Sequence, residues 1–355
     1  MKIPASSRRP AEFYRSLPKV DLHRHLEGSL RFETLRELAR SQGMDLPPTA
    51  QLRTMVQIQE GEKFTFQNFL SKFSTLRLFY RSPEIITRIT QEVIADAAAD
   101  NVRYLELRFT PVALSKAQGF SLAQVMDWVI TGARQAEKNF GVITRLIASI
   151  NRHESVKLAA QVSYLAVERR EAGVVGLDLA GNEAEFSAEP FTKIFRNARK
   201  EGLHLTVHAG EWGGGENITQ AIEVLEAERI GHGIHVLESG AATDLALERQ
   251  IPFEVCITSN YQSGAVPEIS VHPIREMLGR GLNVTINSDD PSISAILLSD
   301  EYRLVCEVLD LPLETLHRRI LAAARAAFIP DFAKENLVQA LDQEFSDCLT
   351  RFDGQ

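Results

Sequence analysis

The sequence predicts an α/β fold, a (β/α)8 TIM barrel, and two patterns carry that prediction. Eight short runs rich in Val, Ile and Leu, several almost continuously apolar, read as parallel strands buried on both faces. Longer stretches with apolar residues at helical spacing lie between them and supply the crossovers that parallel strands require. A doubly wound open sheet is the alternative that the same alternation allows.

The expected strands are Lys19–Leu26, Val102–Phe109, Ile143–Ile150, Val174–Leu179, Leu203–His208, Arg229–Gly231, Pro252–Ile257 and Leu282–Asn287. Ser121–Asn139 and Phe191–Lys200 carry clear helical periodicity. Two regions exceed the barrel repeat: residues 31–101, between the first two strands, and residues 299–355, which read as helical throughout. No internal repeat, low-complexity tract or Gly/Ser linker divides the chain, so residues 1–355 are expected to form one domain with an elaborated first crossover and extra C-terminal helices.

Composition excludes several classes. With 44% hydrophobic and 24% charged residues, the chain has enough apolar surface to fold. Lys and Arg total 39 against 47 Asp and Glu, a net charge of −8, which argues against a nucleic-acid partner held through phosphates. Cys256, Cys306 and Cys348 are scattered and odd in number, which suits buried thiols in a reducing compartment rather than a disulfide scaffold. MKIPASSRRPAEFYRSLPK lacks an apolar leader core, and no run of about 18 apolar residues occurs. The expectation is a cytoplasmic protein with no membrane span; oligomeric state is left open.

The polar residues fall at strand ends. Strand one ends Asp21-Leu-His23-Arg-His25-Leu-Glu27-Gly28, with His23 and His25 on one face. Strand four ends Asp178-Leu-Ala-Gly181-Asn-Glu183, strand five reaches His208-Ala-Gly-Glu211, strand six gives His232-Gly-Ile-His235, and strand eight ends Asn287-Ser-Asp289-Asp290-Pro291. In a barrel these ends converge on one mouth. Each feature has an ordinary reading: a structural His pair, a loop His beside Gly, a helix N-cap at Asp-Asp-Pro, a turn at Gly181. Read separately, each polar group would need its own buried partners, whereas one metal centre satisfies most of them together. Imidazole and carboxylate without Cys favour Zn²⁺, with Fe²⁺ or Co²⁺ as substitutes, over Ca²⁺ or Mg²⁺. His23, His25, His208 and Asp289 would hold it, leaving Glu211, His232 and Asp290 for chemistry and substrate contact.

Through Leu17-Pro-Lys-Val-Asp-Leu-His-Arg-His-Leu-Glu-Gly-Ser, Tyr104-Leu-Glu-Leu-Arg-Phe-Thr-Pro, Gly176-Leu-Asp-Leu-Ala-Gly, His208-Ala-Gly-Glu, Arg229-Ile-Gly-His-Gly-Ile-His and Ile286-Asn-Ser-Asp-Asp-Pro, the chain resembles the adenosine/AMP deaminase family of metal-dependent amidohydrolases. These motifs cover most of the chain in the family's order. The resemblance implies a zinc-dependent barrel enzyme, one Zn²⁺ per chain, that hydrolyses the 6-amino group of a purine. It implies His23, His25, His208 and Asp289 as zinc ligands and Glu211 as the acid that protonates N1. His232 and Asp289 orient the attacking water, and His232 stabilises developing charge. Gly181 and Asp290 contact purine N3 and N7, and His25 and Glu27 also face the substrate. The partner is a small purine nucleoside, and the implied activity is conversion of adenosine and 2′-deoxyadenosine to inosine and deoxyinosine in purine salvage. The Pro-Cys-x-x-Cys of the other zinc deaminase design is absent from the sequence.

Glu27 departs from that pattern. Many adenosine deaminases have Asp there, near the ribose 5′-hydroxyl, and relatives acting on adenine or modified nucleosides often have Glu. Adenine and 6-aminodeoxyfutalosine-type nucleosides are therefore the alternatives, with a non-catalytic binding barrel as a remote third. Thr258-Ser-Asn-Tyr-Gln-Ser-Gly-Ala and Ser299-Asp-Glu-Tyr-Arg-Leu resemble adenosine deaminase segments. Phe66, Phe69, Leu70 and Phe73 share one helix face, read as core packing that also serves as a lid. His153 is read as a residue of the mouth or of a solvated loop, and His317 as solvated. His204 and His272 match no motif. Glu106 and Arg108 are expected to pair or to anchor a loop, Asp21 to support the ligand loop, and His235 either to orient the site or to make a hydrogen bond within its own loop.

Overall fold

The structure is a computed structural model that describes residues 9–354. The part of the leader expectation that falls on residues 1–8 lies outside the described residues.

Eight parallel strands follow one another around the sheet in chain order: β1 Lys19–His25, β2 Val102–Phe109, β3 Ile143–Asn151, β4 Val174–Ala180, β5 His204–Ala209, β6 Arg229–His232, β7 Pro252–Val255 and β8 Asn283–Ile286. Just past β8 the chain rejoins β1. Arg24 and Asp289 form a parallel bridge, His25 N–H donates to Asp289 O at 2.8 Å, and Asp289 N–H donates to His23 O at 2.8 Å. The sheet therefore curls back on itself, which rules out the doubly wound alternative. Most strand residues are buried, as expected of strands with helices outside and side chains within.

Val102–Phe109 falls where expected, and the other strands differ by one or two residues at one or both ends, most informatively at β7. That strand stops at Val255, and Ile257 opens a helix, Ile257–Gln262. The buried carboxylate of Glu301 accepts the N–H groups of Ile257 and Thr258 at 2.8 and 3.2 Å, ending the strand from a distant part of the chain. The helix expected over Ser121–Asn139 runs Leu122–Phe140, with Ser121 and Gln124 forming its capping box and Gly141 closing it at φ 72°. The helix expected from Phe191 begins at Thr192, because Phe191 belongs to a preceding 3₁₀ turn. Residues 31–101 contain the helices Phe32–Ser41, Thr49–Val56, Phe66–Leu76 and Pro83–Ala99. The C-terminal segment forms Leu298–Glu307, Leu313–Ala326 and Asp331–Asp353, with Pro312 and Pro330 at the starts of the last two. Among the described residues no helix is long and apolar enough to cross a membrane.

The inside of the barrel carries ions as well as hydrocarbon. Glu106 and Arg108 both point inward and both are fully buried, but they do not pair with each other as the sequence suggested. Each finds its counter-charge on a facing strand: Glu106 bonds Arg229, and Arg108 Nη2 donates to Glu254 at 2.8 Å with Asp178 at 3.5 Å from Nη1. Arg229 Nε also donates to Glu254, at 2.6 Å. Two residues one step apart on a strand face stand side by side, whereas the closed barrel brings opposite strands together at its centre.

Replacing Arg229 with Met should leave Glu106 and Glu254 buried with one cation fewer. A loss of about 3–5 kcal/mol is expected, read as a lower urea midpoint with an unchanged slope.

Candidate active site

The strand ends bring the expected ligands into one cluster. Ring nitrogens of His23, His25 and His208 lie within 4.8 Å of one another, and all three residues sit on β1 or β5. Asp289 Oδ1, from the turn after β8, is 3.3 Å from His23 Nε2 and 3.4 Å from His25 Nε2. Glu254 Oε2 lies 2.9 Å from His23 Nδ1, and Asp178 Oδ1 lies 2.9 Å from His208 Nδ1. A carboxylate at Nδ1 takes that N–H, so the Nε2 lone pair of each ring is free to face the cluster. His23 Nε2 is buried without a hydrogen-bond partner. Burial holds the His25 and His208 rings below their usual pKa, and so neutral. Burial opposes a charge on His23 as well, but its bonds to Asp289 and Glu254 outweigh that and raise its pKa, so a metal would displace the Nε2 proton there. Three imidazoles and a carboxylate are a donor set that fits Zn²⁺. Cys256 also lies near His23 and Asp289, but burial pushes its thiol well up and its Sγ turns to Glu254 O at 3.5 Å.

The presumptive acid faces this cluster. Glu211 Oε2 is 3.6 Å from His232 Nε2, and His232 Nε2 is 4.0 Å from Asp289 Oδ2. Burial, then the Asp289 and Glu183 charges, push the Glu211 carboxyl well above its ordinary range, which favours its acid form. Asp290 is raised for the same reasons, by burial and by Asp289, Glu27 and Glu211. Its Oδ1 is buried with no partner, and a Cβ at residue 28 would come within 1.6 Å of it, which requires Gly28. His232 and Asp289 both hold φ 58°, a left-handed backbone uncommon outside glycine, which re-aims each side chain as its strand ends.

Glu183 fixes the loop that carries Glu211. Its Oε1 accepts the N–H groups of Glu211, Trp212 and Gly213 at 2.6, 2.8 and 3.0 Å. Its Oε2 accepts Gly210 N–H at 2.9 Å and the Asn217 amide at 2.8 Å. Burial opposes ionisation here, but these donors outweigh it and hold the carboxylate below its usual pKa.

The cavity over the cluster is lined by apolar and polar groups. Phe69, Leu70 and Phe73, from helix Phe66–Leu76, line it, while Phe66 packs on Trp212 with ring centroids 5.4 Å apart. The stripe thus joins cavity wall and core. Glu27 and Arg77 are among the polar ones. Glu27 Oε1 accepts Thr110 N–H at 2.7 Å, while Glu27 Oε2 and Arg77 Nε are buried without partners. Gly181, at φ +93°, and Asn151 line the same cavity.

Other expectations meet mixed outcomes. Asp21 supports the ligand turn: its Oδ2 accepts Ser288 Oγ–H at 2.6 Å and Arg24 Nε–H at 2.9 Å. His235 does not reach the cluster but bonds Glu238 in its own loop at 2.7 Å. His153 is exposed. His204 stacks on Phe328 with centroids 4.5 Å apart. His317 is half-buried rather than solvated, stacked on Phe345 at 4.1 Å and 2.9 Å from Asp342, because the last two helices pack together. Sequence reading did not single out Glu254, Asn260, His272 or Arg77. Glu254 left a signal, a charge in the otherwise apolar run of β7.

The family model described as adenosine deaminase matches residues 18–344. An adenosine deaminase from Klebsiella pneumoniae (strain 342) is 35% identical over 326 residues, covering 91% of this chain and 97% of the relative. Among solved structures, an amidohydrolase from Burkholderia ambifaria with bound Zn superposes with TM-score 0.89 at 28% identity, covering 100% of this chain and 97% of the other. An adenine deaminase from Arthrobacter aurescens superposes with TM-score 0.84 at 29% identity, over 94% and 99% of the two chains.

Glu183→Ala should release the loop at residues 210–213. Hydrogen exchange at these amides should accelerate by about 10–100-fold, the worth of one charged hydrogen bond each, while zinc binding is retained.

Proposed function

The chain belongs to the adenosine deaminase family, and from that membership we propose that it converts adenosine and 2′-deoxyadenosine to inosine and deoxyinosine with release of ammonia, serving purine salvage in the cytoplasm as one barrel domain. The observation that carries this reading is a buried Glu211, 3.6 Å from His232 and with its pKa pushed up, facing the same cluster as His23, His25, His208 and Asp289. His23, His25, His208 and Asp289 would hold one zinc ion per chain, which would supply the Lewis acidity needed for a nucleophilic water near neutral pH.

The chain's own groups do the rest. The purine lies against Phe69, Leu70 and Phe73, which keep bulk water out. The Gly181 backbone meets N3, and the Asp290 carboxyl, whose buried Oδ1 has no other partner and whose pKa is pushed up, meets N7. As water oxygen adds to C6, N1 gains the proton from Glu211, and His232 and Asp289 hold the oxygen in line. The C6–N bond then breaks, and the amino group leaves as ammonia with one of the water's two protons; the other restores Glu211, and the oxygen stays on the ring. Water in and ammonia out balance the reaction.

Glu27 and Arg77 favour a sugar. Glu27 Oε2 is an acceptor and Arg77 Nε a donor, and a hydroxyl can serve both at once. A phosphate only accepts and so could meet Arg77 but not Glu27 Oε2 as an acceptor, while adenine would leave both groups unmet. The Arthrobacter adenine deaminase, at 29% identity, keeps adenine as the second reading.

A substrate panel tests this. Zinc-loaded protein should show its highest kcat/KM on adenosine and 2′-deoxyadenosine, at least about tenfold above adenine, AMP or 6-aminodeoxyfutalosine. Preference for adenine would overturn the nucleoside reading, and no turnover of any 6-aminopurine would overturn deamination. Glu211→Gln should retain zinc by atomic absorption and lose about 10²–10⁴-fold in kcat.

A further inference from the structure

His232 is bonded differently from its neighbours. His23 and His208 each have a carboxylate at Nδ1, whereas His232 Nδ1 lies 3.1 Å from the side-chain amide of Asn260. Behind Asn260, its Oδ1 lies 3.3 Å from His272 Nε2, and His272 Nδ1 accepts the backbone N–H of Ile274 at 3.1 Å. All three side chains are buried: His232 1% exposed, Asn260 0% and His272 4%.

One backbone N–H sets the direction of the whole chain. Ile274 N–H can only donate, so His272 Nδ1 must be the acceptor. A neutral imidazole carries one N–H, which places the His272 proton on Nε2. Burial holds His272 neutral, down to about 3. Nε2–H needs an acceptor, which fixes Asn260 Oδ1 toward it and turns the Asn260 NH₂ group to His232. His232 Nδ1 accepts that N–H, and its own proton is left on Nε2, which faces Glu211 at 3.6 Å and Asp289 at 4.0 Å. Asn260 cannot drift, since its N–H bonds Cys256 O at 2.9 Å and its C=O accepts Val266 N–H at 3.0 Å.

We propose that Asn260 and His272 are positioning residues that hold His232 as the Nε2–H tautomer. The Nδ1 partner thereby sorts the clustered rings. A carboxylate leaves Nε2 with a lone pair for a metal, and an amide donor leaves Nε2 with a hydrogen for the oxygen that adds to the substrate. His232 is kept out of the ligand set and made a hydrogen-bond donor by the same contact. The kinetic part rests on the proposed deamination, and the tautomer itself does not.

The test is ¹⁵N-histidine labelling of the zinc-loaded protein and long-range ¹H–¹⁵N correlation, with His232 assigned by its loss in His232→Asn. His232 and His272 should show protonated Nε2 and unprotonated Nδ1, and His23 and His208 the reverse. A wild-type His232 protonated on Nδ1 would overturn the proposal whether or not any variant folds. Asn260→Asp keeps the shape but can only accept, so His232 should switch to Nδ1–H. Its kcat should fall about 10²–10³-fold, the worth of one donor to a developing oxyanion, with KM changed far less. An unswitched His232 in this variant would also overturn the proposal. His272→Gln retains an N–H for Asn260 Oδ1 and should recover most of the activity lost in His272→Leu; equal losses in the two would count against the relay. A switched tautomer in a protein inactive on every purine would sink the deaminase reading and leave the relay standing.

Discussion

The carboxylate of Glu254 is where the metal-facing rings meet the ionic floor of the barrel. It bonds His23 from β1, Arg108 from β2, Thr206 from β5 and Arg229 from β6, and it sits on β7 itself. Burial alone would favour its neutral form, but the two guanidiniums outweigh that and hold it ionised. Five of the eight strands therefore converge on one side chain. The ring plane of His23, and with it the spacing of the ligand cluster, depends on the barrel closing with these strands in register.

Closure in turn runs through the site. The β8–β1 seam has the Arg24–Asp289 bridge, and the backbone bonds around it belong to His23, His25 and Asp289, all expected metal ligands. Side chains complete the seam: Asn287 Oδ1 accepts Leu22 N–H at 2.9 Å, and Asp21 ties Ser288 to Arg24. The left-handed backbone at Asp289 lies where this seam must both bond β1 and turn a carboxylate inward. Strain there is balanced by the hydrogen bonds of the seam rather than by flexibility.

The sequence was most legible where period and position coincide. His23 and His25 sit two apart on one strand, so a shared face follows from the pleat. His208, Glu211, His232 and Asp289 follow other strands at their C-terminal ends, which a barrel gathers at one mouth. Glu106 and Arg108 were legible as charges seeking a partner but not as to which, because a strand's own spacing says nothing of the strand across the barrel. Asn260 and His272 were illegible for a different reason. Asn260 sits on a helix that begins only because Glu301, more than forty residues later, takes its first N–H groups. His272 reaches Asn260 only once the loop after that helix folds back.

The structure divides labour between strands and crossover. The groups that would bind metal and move protons stand on strand ends and on the turns that leave them, tied to one another by the closed sheet. The cavity's apolar wall and Arg77 come instead from the long excursion between β1 and β2, through Phe69, Leu70 and Phe73. Glu27 lies at the junction, on the turn leaving β1 but anchored to Thr110 beyond β2. A change in the excursion can reshape what sits over the cluster without touching a ligand or its carboxylate partner. A change in the strands cannot alter one ligand without disturbing the seam or the ionic floor. Shared chemistry with divergent substrates is what such a division permits, and on the proposed reading the two groups that would meet the sugar, Glu27 and Arg77, stand at the junction and in the excursion.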